Sequence, residues 1–197
     1  DLGTEYTLDL LKKYQLEDSD LFRCFDYCHE IGITPLCTPW DLPSLLKLEE
    51  YGIEAYKVAS ADFTNTLILE EISKTNKPMI CSTGMTTDEE INNSVEFLKS
   101  KFADYALLHC NSTYPAPFKD INLRYISKLI KVGNCQVGYS SHERGFSAIL
   151  ASIGLGARII EKHITLNKSW EGIDHRVSLL PSEFKICLLY TSPSPRD

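Results

Sequence analysis

The sequence has no long apolar run, no Gly-x-Gly-x-x-Gly turn, no Cys-x-x-Cys pair and fewer basic than acidic side chains. Each absence closes off a class of protein. Nothing nears the roughly 20 apolar residues that a membrane-crossing helix needs, so no membrane partner is expected. With no glycine-rich turn after a strand, the fingerprint of a dinucleotide-binding sheet is missing. The 20 Lys and Arg face 27 Asp and Glu, a net charge of −7, which argues against a nucleic-acid partner. A small anionic molecule stays compatible, because a pocket can be locally positive inside an acidic protein. The seven cysteines, at 24, 28, 37, 81, 110, 135 and 187, form no compact disulfide framework and read as reduced thiols. Cys24 and Cys28 lie one helical turn apart, which suits packing on one helix face better than a metal. The chain opens at Asp1 without a charged-then-apolar leader, so the expected location is the cytoplasm.

Hydrophobic residues at 43% and charged residues at 24% are ordinary globular values, which excludes a disordered or collagen-like chain. Short apolar runs at 33–37, 55–59, 78–81, 105–110, 136–139 and 158–163 read as strands buried on both faces. Between them, 43–51, 67–75, 87–100, 123–131 and 145–155 read as amphipathic helices, and a charged helical stretch lies near 8–14. Thr87 with Glu90 is a capping-box start, and Gly52 and Gly154 sit where helices should stop. Residues 188–197 form a Ser/Pro-rich tail outside the fold, leaving one domain over 1–187.

A polar residue follows each strand: Thr38, Ser60, Ser82, Ser112, Ser140 and His163. Each is about one βα unit from the next, always at the strand's C-terminal end. That is the face on which a (β/α)₈ TIM barrel builds its active site. At 197 residues the chain is short of the typical barrel's length of about 250. The expectation is therefore an α/β TIM barrel, present as a fragment lacking roughly the first two βα units, inactive alone and with exposed strand edges.

His142 and His163 end neighbouring strands and would share one rim, where imidazole nitrogens suit Mn, Fe or Zn better than Ca or Mg. Two ligands leave positions open for water and substrate. Lys57 lies inside an apolar strand, and a buried ammonium needs an anion. Among Thr38, Ser60 and Ser82 it would make a phosphate or carboxylate pocket; an ion pair with Asp62 or Glu161 and a Schiff-base lysine are the alternatives. Asn111, Ser112 and Tyr114 end another strand, and Asp174 with His175 follow the last one.

Taken in order, the motifs resemble a known family. They are TPW (38–40), YKVAS (56–60), KPMICSTGM (77–85), LLHCNSTYPAP (107–117), VGYSSH (137–142), IIEKHITL (159–166) and GIDHRVSLLP (172–181). The set is similar to that of the N-acetylneuraminate (sialic acid) synthases, a family that includes the legionaminic and pseudaminic acid synthases. The resemblance implies a TIM barrel followed by a small antifreeze-like domain, working as a homodimer. It implies condensation of phosphoenolpyruvate with an open-chain N-acetylated amino-hexose, such as N-acetylmannosamine, to a nonulosonic acid with release of phosphate. By the same resemblance His142 and His163 hold a divalent metal, Mn²⁺ first, with Mg²⁺ or Co²⁺ as alternatives. Lys57, Thr38, Ser60, Ser82, Ser112 and Ser140 take the phosphoenolpyruvate positions, and Tyr114 and Asp174 those of the amino-sugar. Asp62 takes that of an acidic residue near the reacting carbons, a candidate for proton transfer.

Ser141 departs from a motif that usually reads Ser-Asp-His, and Ser112 stands where some members carry Asn. The family's early Glu and Lys-x-Gln contributions, and the domain supplying an Arg to the partner's site, fall outside this stretch. The rival readings are a diverged non-catalytic sugar-binding barrel and another barrel aldolase or condensing enzyme.

Overall fold

The computed structural model describes residues 4–191, with strands and helices alternating from residue 56 onwards. Helices α1 (Thr4–Tyr14), α2 (Asp18–Glu30) and α3 (Leu42–Tyr51) precede β1 (Tyr56–Val58). Then come α4 (Thr66–Lys74), β2 (Met79–Ser82), α5 (Asp88–Ser100), β3 (Tyr105–Cys110), α6 (Tyr125–Gly133), β4 (Val137–Ser141), α7 (Ser147–Gly154), β5 (Ile160–Lys162) and α8 (Pro181–Thr191). The five strands are parallel and ordered β1-β2-β3-β4-β5. A doubly wound sheet reverses its strand order at a switch point. Here every βα unit adds its strand on the same side, as in a barrel wall.

Local chemistry sets the helix boundaries. Asp41 accepts a hydrogen bond from Ser44 N at 2.8 Å, Pro43 sits in the first turn of α3, and Gly52 ends that helix at φ 88°. The expected capping box opens α5: Thr87 N donates to Glu90 Oε2 at 2.7 Å and Thr87 Oγ1 accepts from Glu90 N at 3.3 Å. Strand parity then divides the sheet into two faces. Tyr56, Val58, Met79, Cys81, Leu107, Val137 and Tyr139 are buried against Leu48, Leu69, Ile72, Val95, Leu98 and Leu129 of the helices. The residues between them, Lys57, Ile80, Leu108, Gly138 and Ser140, share the opposite face through the register Lys57↔Ile80, Leu108↔Gly138 and Ser140↔Glu161.

Gly138 is forced by this packing. A Cβ there would lie 2.2 Å from the Ile159 carbonyl oxygen and 2.6 Å from Leu108 Cδ2. The nearest obstacle is backbone, so a rotamer change cannot relieve it. Gly138→Ala is expected to cost about 3 kcal/mol, a fall of roughly 6–12 °C in Tm, checked by thermal unfolding followed by circular dichroism.

The structure revises several expected elements. Of the strand at 33–37, only Cys37 pairs with β1: Lys57 N donates to its carbonyl at 2.9 Å in an isolated bridge with Tyr56. Ile33 and Leu36 are exposed, so little burial draws the segment into the sheet. Helix α2 carries Cys24 and Cys28 on its turns as their spacing suggested, though its extent was not expected; its Phe22 and Phe25 pack on Tyr51 with ring centroids 4.8 and 5.4 Å apart. Helix α8 continues past residue 187 to Thr191, since the first tail proline is Pro193. The rest of the tail, 192–197, lies outside the described residues. Beyond β5 the chain doubles back, and Leu179 N donates to the His163 carbonyl at 2.9 Å. The seven cysteines are free thiols; Cys24 is exposed and Cys28 half-buried on α2. Among the described residues, no helix is long and apolar enough to cross a membrane.

Candidate active site

The C-terminal ends of the strands surround a cavity of about 470 Å³. Because side chains alternate, the strand tips deliver Lys57, Ser82, Cys110, Ser140 and Glu161 to its wall, and the following residues add Thr38, Ser60, Ser112, Tyr114, His142 and His163. Nine of the eleven expected site residues therefore meet in one place.

Lys57 brings an ammonium to the cavity wall, with its side chain only 14% exposed. Its ammonium donates to Ser82 Oγ at 2.8 Å and to the Val58 carbonyl at 2.9 Å. Glu161 Oε1 stands 3.6 Å away, so the alternative ion pair forms with Glu161 and not with Asp62. Ser60 Oγ accepts from Gly84 N at 3.0 Å. Gly84 must lack a side chain, since a Cβ would fall 2.5 Å from Ser112 Oγ and 2.9 Å from Cys110 Sγ.

The two histidine rings lie with centroids 5.3 Å apart. His142 Nδ1 is 2.8 Å from the Asn111 carbonyl oxygen. A carbonyl only accepts, so Nδ1 carries the proton and Nε2 is left with a lone pair. Nε2 accepts from the Tyr114 hydroxyl at 3.0 Å. Tyr114 bridges the pair, its ring 4.1 Å from His142 and 5.7 Å from His163. Burial pushes the His163 imidazole below its ordinary value, and the charge of Asp174 opposes this. Burial, with the charges of Cys110, Asp174 and Glu161, lifts the Tyr114 phenol well above its ordinary value.

Such a donor set fits a divalent ion. Two imidazoles, one with its tautomer fixed by a carbonyl, face a cavity with room for water and substrate at the remaining positions. Among the described residues no third His, Cys, Asp or Glu joins them.

Two expected residues do not line the cavity. Asp62 lies in the short 3-10 turn Ser60–Asp62. Its Oδ1 accepts from Asn65 Nδ2 at 3.1 Å, while Oδ2 is buried without a hydrogen-bond partner. Asp174 is exposed in the turn Asp174–Arg176, close enough for its charge to act on Tyr114 and His163. Sequence reasoning missed Trp40, Met85, Cys110 and Lys162 as lining residues. Strand parity already carried the signal for Cys110, two residues before Ser112.

A profile described as the NeuB family matches residues 1–189. The chain belongs to the NeuB family. Among relatives, it is 38% identical to the N,N'-diacetyllegionaminic acid synthase of Campylobacter jejuni, over 92% of this chain and 55% of that protein. It is 36% identical to the human N-acetylneuraminate-9-phosphate synthase, over 80% of this chain and 44% of that protein. The crystal structure of a sialic acid synthetase from Leptospira borgpetersenii, in complex with citrate, superposes with a TM-score of 0.92 at 32% identity. That match covers 96% of this chain and 66% of the other. The chain spans about half the length of the curated NeuB-family relatives it matches.

Proposed function

We propose that the protein to which this chain belongs is a nonulosonic acid synthase. It would condense phosphoenolpyruvate with the open-chain form of an N-acetylated amino-hexose and release phosphate. The observation that carries this is the meeting of an anion cradle, Lys57 with its ring of hydroxyls, and an imidazole pair on one cavity wall. Membership of the NeuB family and the names of the relatives support it. On this reading the sheet is part of the wall of a (β/α)₈ barrel, closed by strands outside 56–162.

The chemistry assigns work to each group. Lys57 and the hydroxyls of Thr38, Ser60, Ser82, Ser112 and Ser140 hold the phosphate and carboxylate oxygens, fixing C3 of phosphoenolpyruvate towards the sugar. Tyr114 and Asp174 orient the amino-sugar. A new bond joins C3 to the sugar's aldehyde carbon, water adds at C2, and the tetrahedral carbon then expels phosphate. Asp62, whose Oδ2 is buried without a hydrogen-bond partner just off the cavity wall, is our candidate for proton transfer. A divalent ion held by His142 and His163, Mn²⁺ first, would supply Lewis-acid polarisation of the sugar carbonyl.

The test is phosphate release by the full-length protein with phosphoenolpyruvate and a panel of 2-acetamido and 2,4-diacetamido hexoses. Release that depends on one sugar, is lost on chelation and returns with Mn²⁺ is expected. No release with any sugar from folded, metal-loaded protein would favour a diverged sugar-binding barrel.

A further inference from the structure

Hydrogen bonding between β4 and β5 ends at the pair Ser141↔Lys162, and the next residue on each strand is a histidine of the cavity. Past that rung the two histidine backbones are not tied to each other. The His142 carbonyl accepts from Ala116 N at 3.0 Å, and the His163 carbonyl accepts from Leu179 N at 2.9 Å. Each tip is thus anchored to a different loop. What crosses the gap is a side chain. Lys162 Nζ donates to the Glu143 carbonyl at 2.6 Å, to Ser141 Oγ at 2.9 Å and to the Ser141 carbonyl at 3.4 Å. Two of these bonds grip the backbone on both sides of His142, and the third holds the Ser141 hydroxyl.

The grip is itself braced. Ser141 Oγ, accepting from Lys162, donates to Glu143 Oε1 at 2.8 Å, and the Tyr139 hydroxyl donates to Glu143 Oε2 at 2.7 Å. Glu143 is fully buried, a costly place for a carboxylate without such donors.

We propose that Lys162 is a positioning residue that sets the separation of His142 and His163, with Ser141 and Glu143 holding its ammonium in place. The inference rests on reading the two histidines as one metal site. Removing such a support typically costs ten- to a hundredfold in metal affinity, about tenfold at the low end.

Mn²⁺ affinity, read by electron paramagnetic resonance on the full chain, separates the cases, with folding checked by thermal unfolding. Lys162→Met is expected to weaken Mn²⁺ binding about tenfold, and Lys162→Arg, which keeps a cationic donor, to recover most of it. Ser141→Ala deletes a single oxygen and is expected to weaken binding in the same direction, so it decides the matter if Lys162→Met does not fold. Folded Lys162→Met or Ser141→Ala protein with wild-type affinity overturns the clamp alone. Wild-type chain that binds no Mn²⁺ overturns the metal reading beneath it.

Discussion

His163→Ala is expected to lower phosphate release by the full-length protein about a thousandfold or more, equivalent to about 4 kcal/mol of lost transition-state stabilisation. It should lose Mn²⁺ binding in parallel while its thermal unfolding stays cooperative. His163 is the sharper of the two histidines for this purpose. Among the described residues it meets Tyr114 and His142 by ring contact, and its half-buried side chain leaves little behind when truncated. His142 is buried, and its removal would strand the Asn111 carbonyl and the Tyr114 hydroxyl. An unsatisfied buried acceptor costs about 1–3 kcal/mol, so lost activity in His142→Ala mixes chemistry with stability. Full phosphate release by a folded His163→Ala enzyme would remove the metal role and leave the cavity to its lysine.

How much of this was legible before the fold depends on whether an inference needed one strand or two. Five of the six expected strands form, four with apolar runs buried on the helix side and β5 with Ile160 half-buried against the same core. The run at 33–37 has the same composition, but Ile33 and Leu36 are exposed and only Cys37 finds a partner. The extent of helix α2, signalled only by the Cys24 and Cys28 spacing, was not legible because its apolar face is thin: Phe22 and Phe25 stand among charged residues, and their partner Tyr51 is on another helix. The cavity wall was readable because residues at strand ends share a rim once parity is known. Glu161 was named only as one of two carboxylates for Lys57 and Lys162 was not named at all, since the choice of Glu161 over Asp62 and the contact of Lys162 with Ser141 depend on cross-sheet placement that spacing does not encode. Asp62 is adjacent in sequence to the wall residues Ser60 and Ala61 yet lies off the wall.

Lys57→Met is expected to reduce kcat/KM for phosphoenolpyruvate about a thousandfold, again about 4 kcal/mol. Methionine matches the length of the lysine stem and keeps its packing in β1, so the strand should survive. What is lost is the ammonium that Ser82 Oγ and the Val58 carbonyl hold at 2.8 and 2.9 Å. Charge-assisted hydrogen bonds to a dianionic phosphate are worth most in a site screened from water. Glu161, 3.6 Å from the ammonium in the absence of substrate, would then face the cavity without its counterion and repel the incoming anion. Because the ammonium grips the phosphate through the reaction as well as on binding, the loss should fall on both kcat and KM. Rise of KM alone would reduce Lys57 to a binding residue. The rival in which Lys57 forms a Schiff base makes a different forecast: borohydride in the presence of substrate would trap a covalent adduct on Lys57. With its amine already engaged by a hydroxyl, a carbonyl and a carboxylate, no adduct is expected, and mass spectrometry of the treated protein decides between the two.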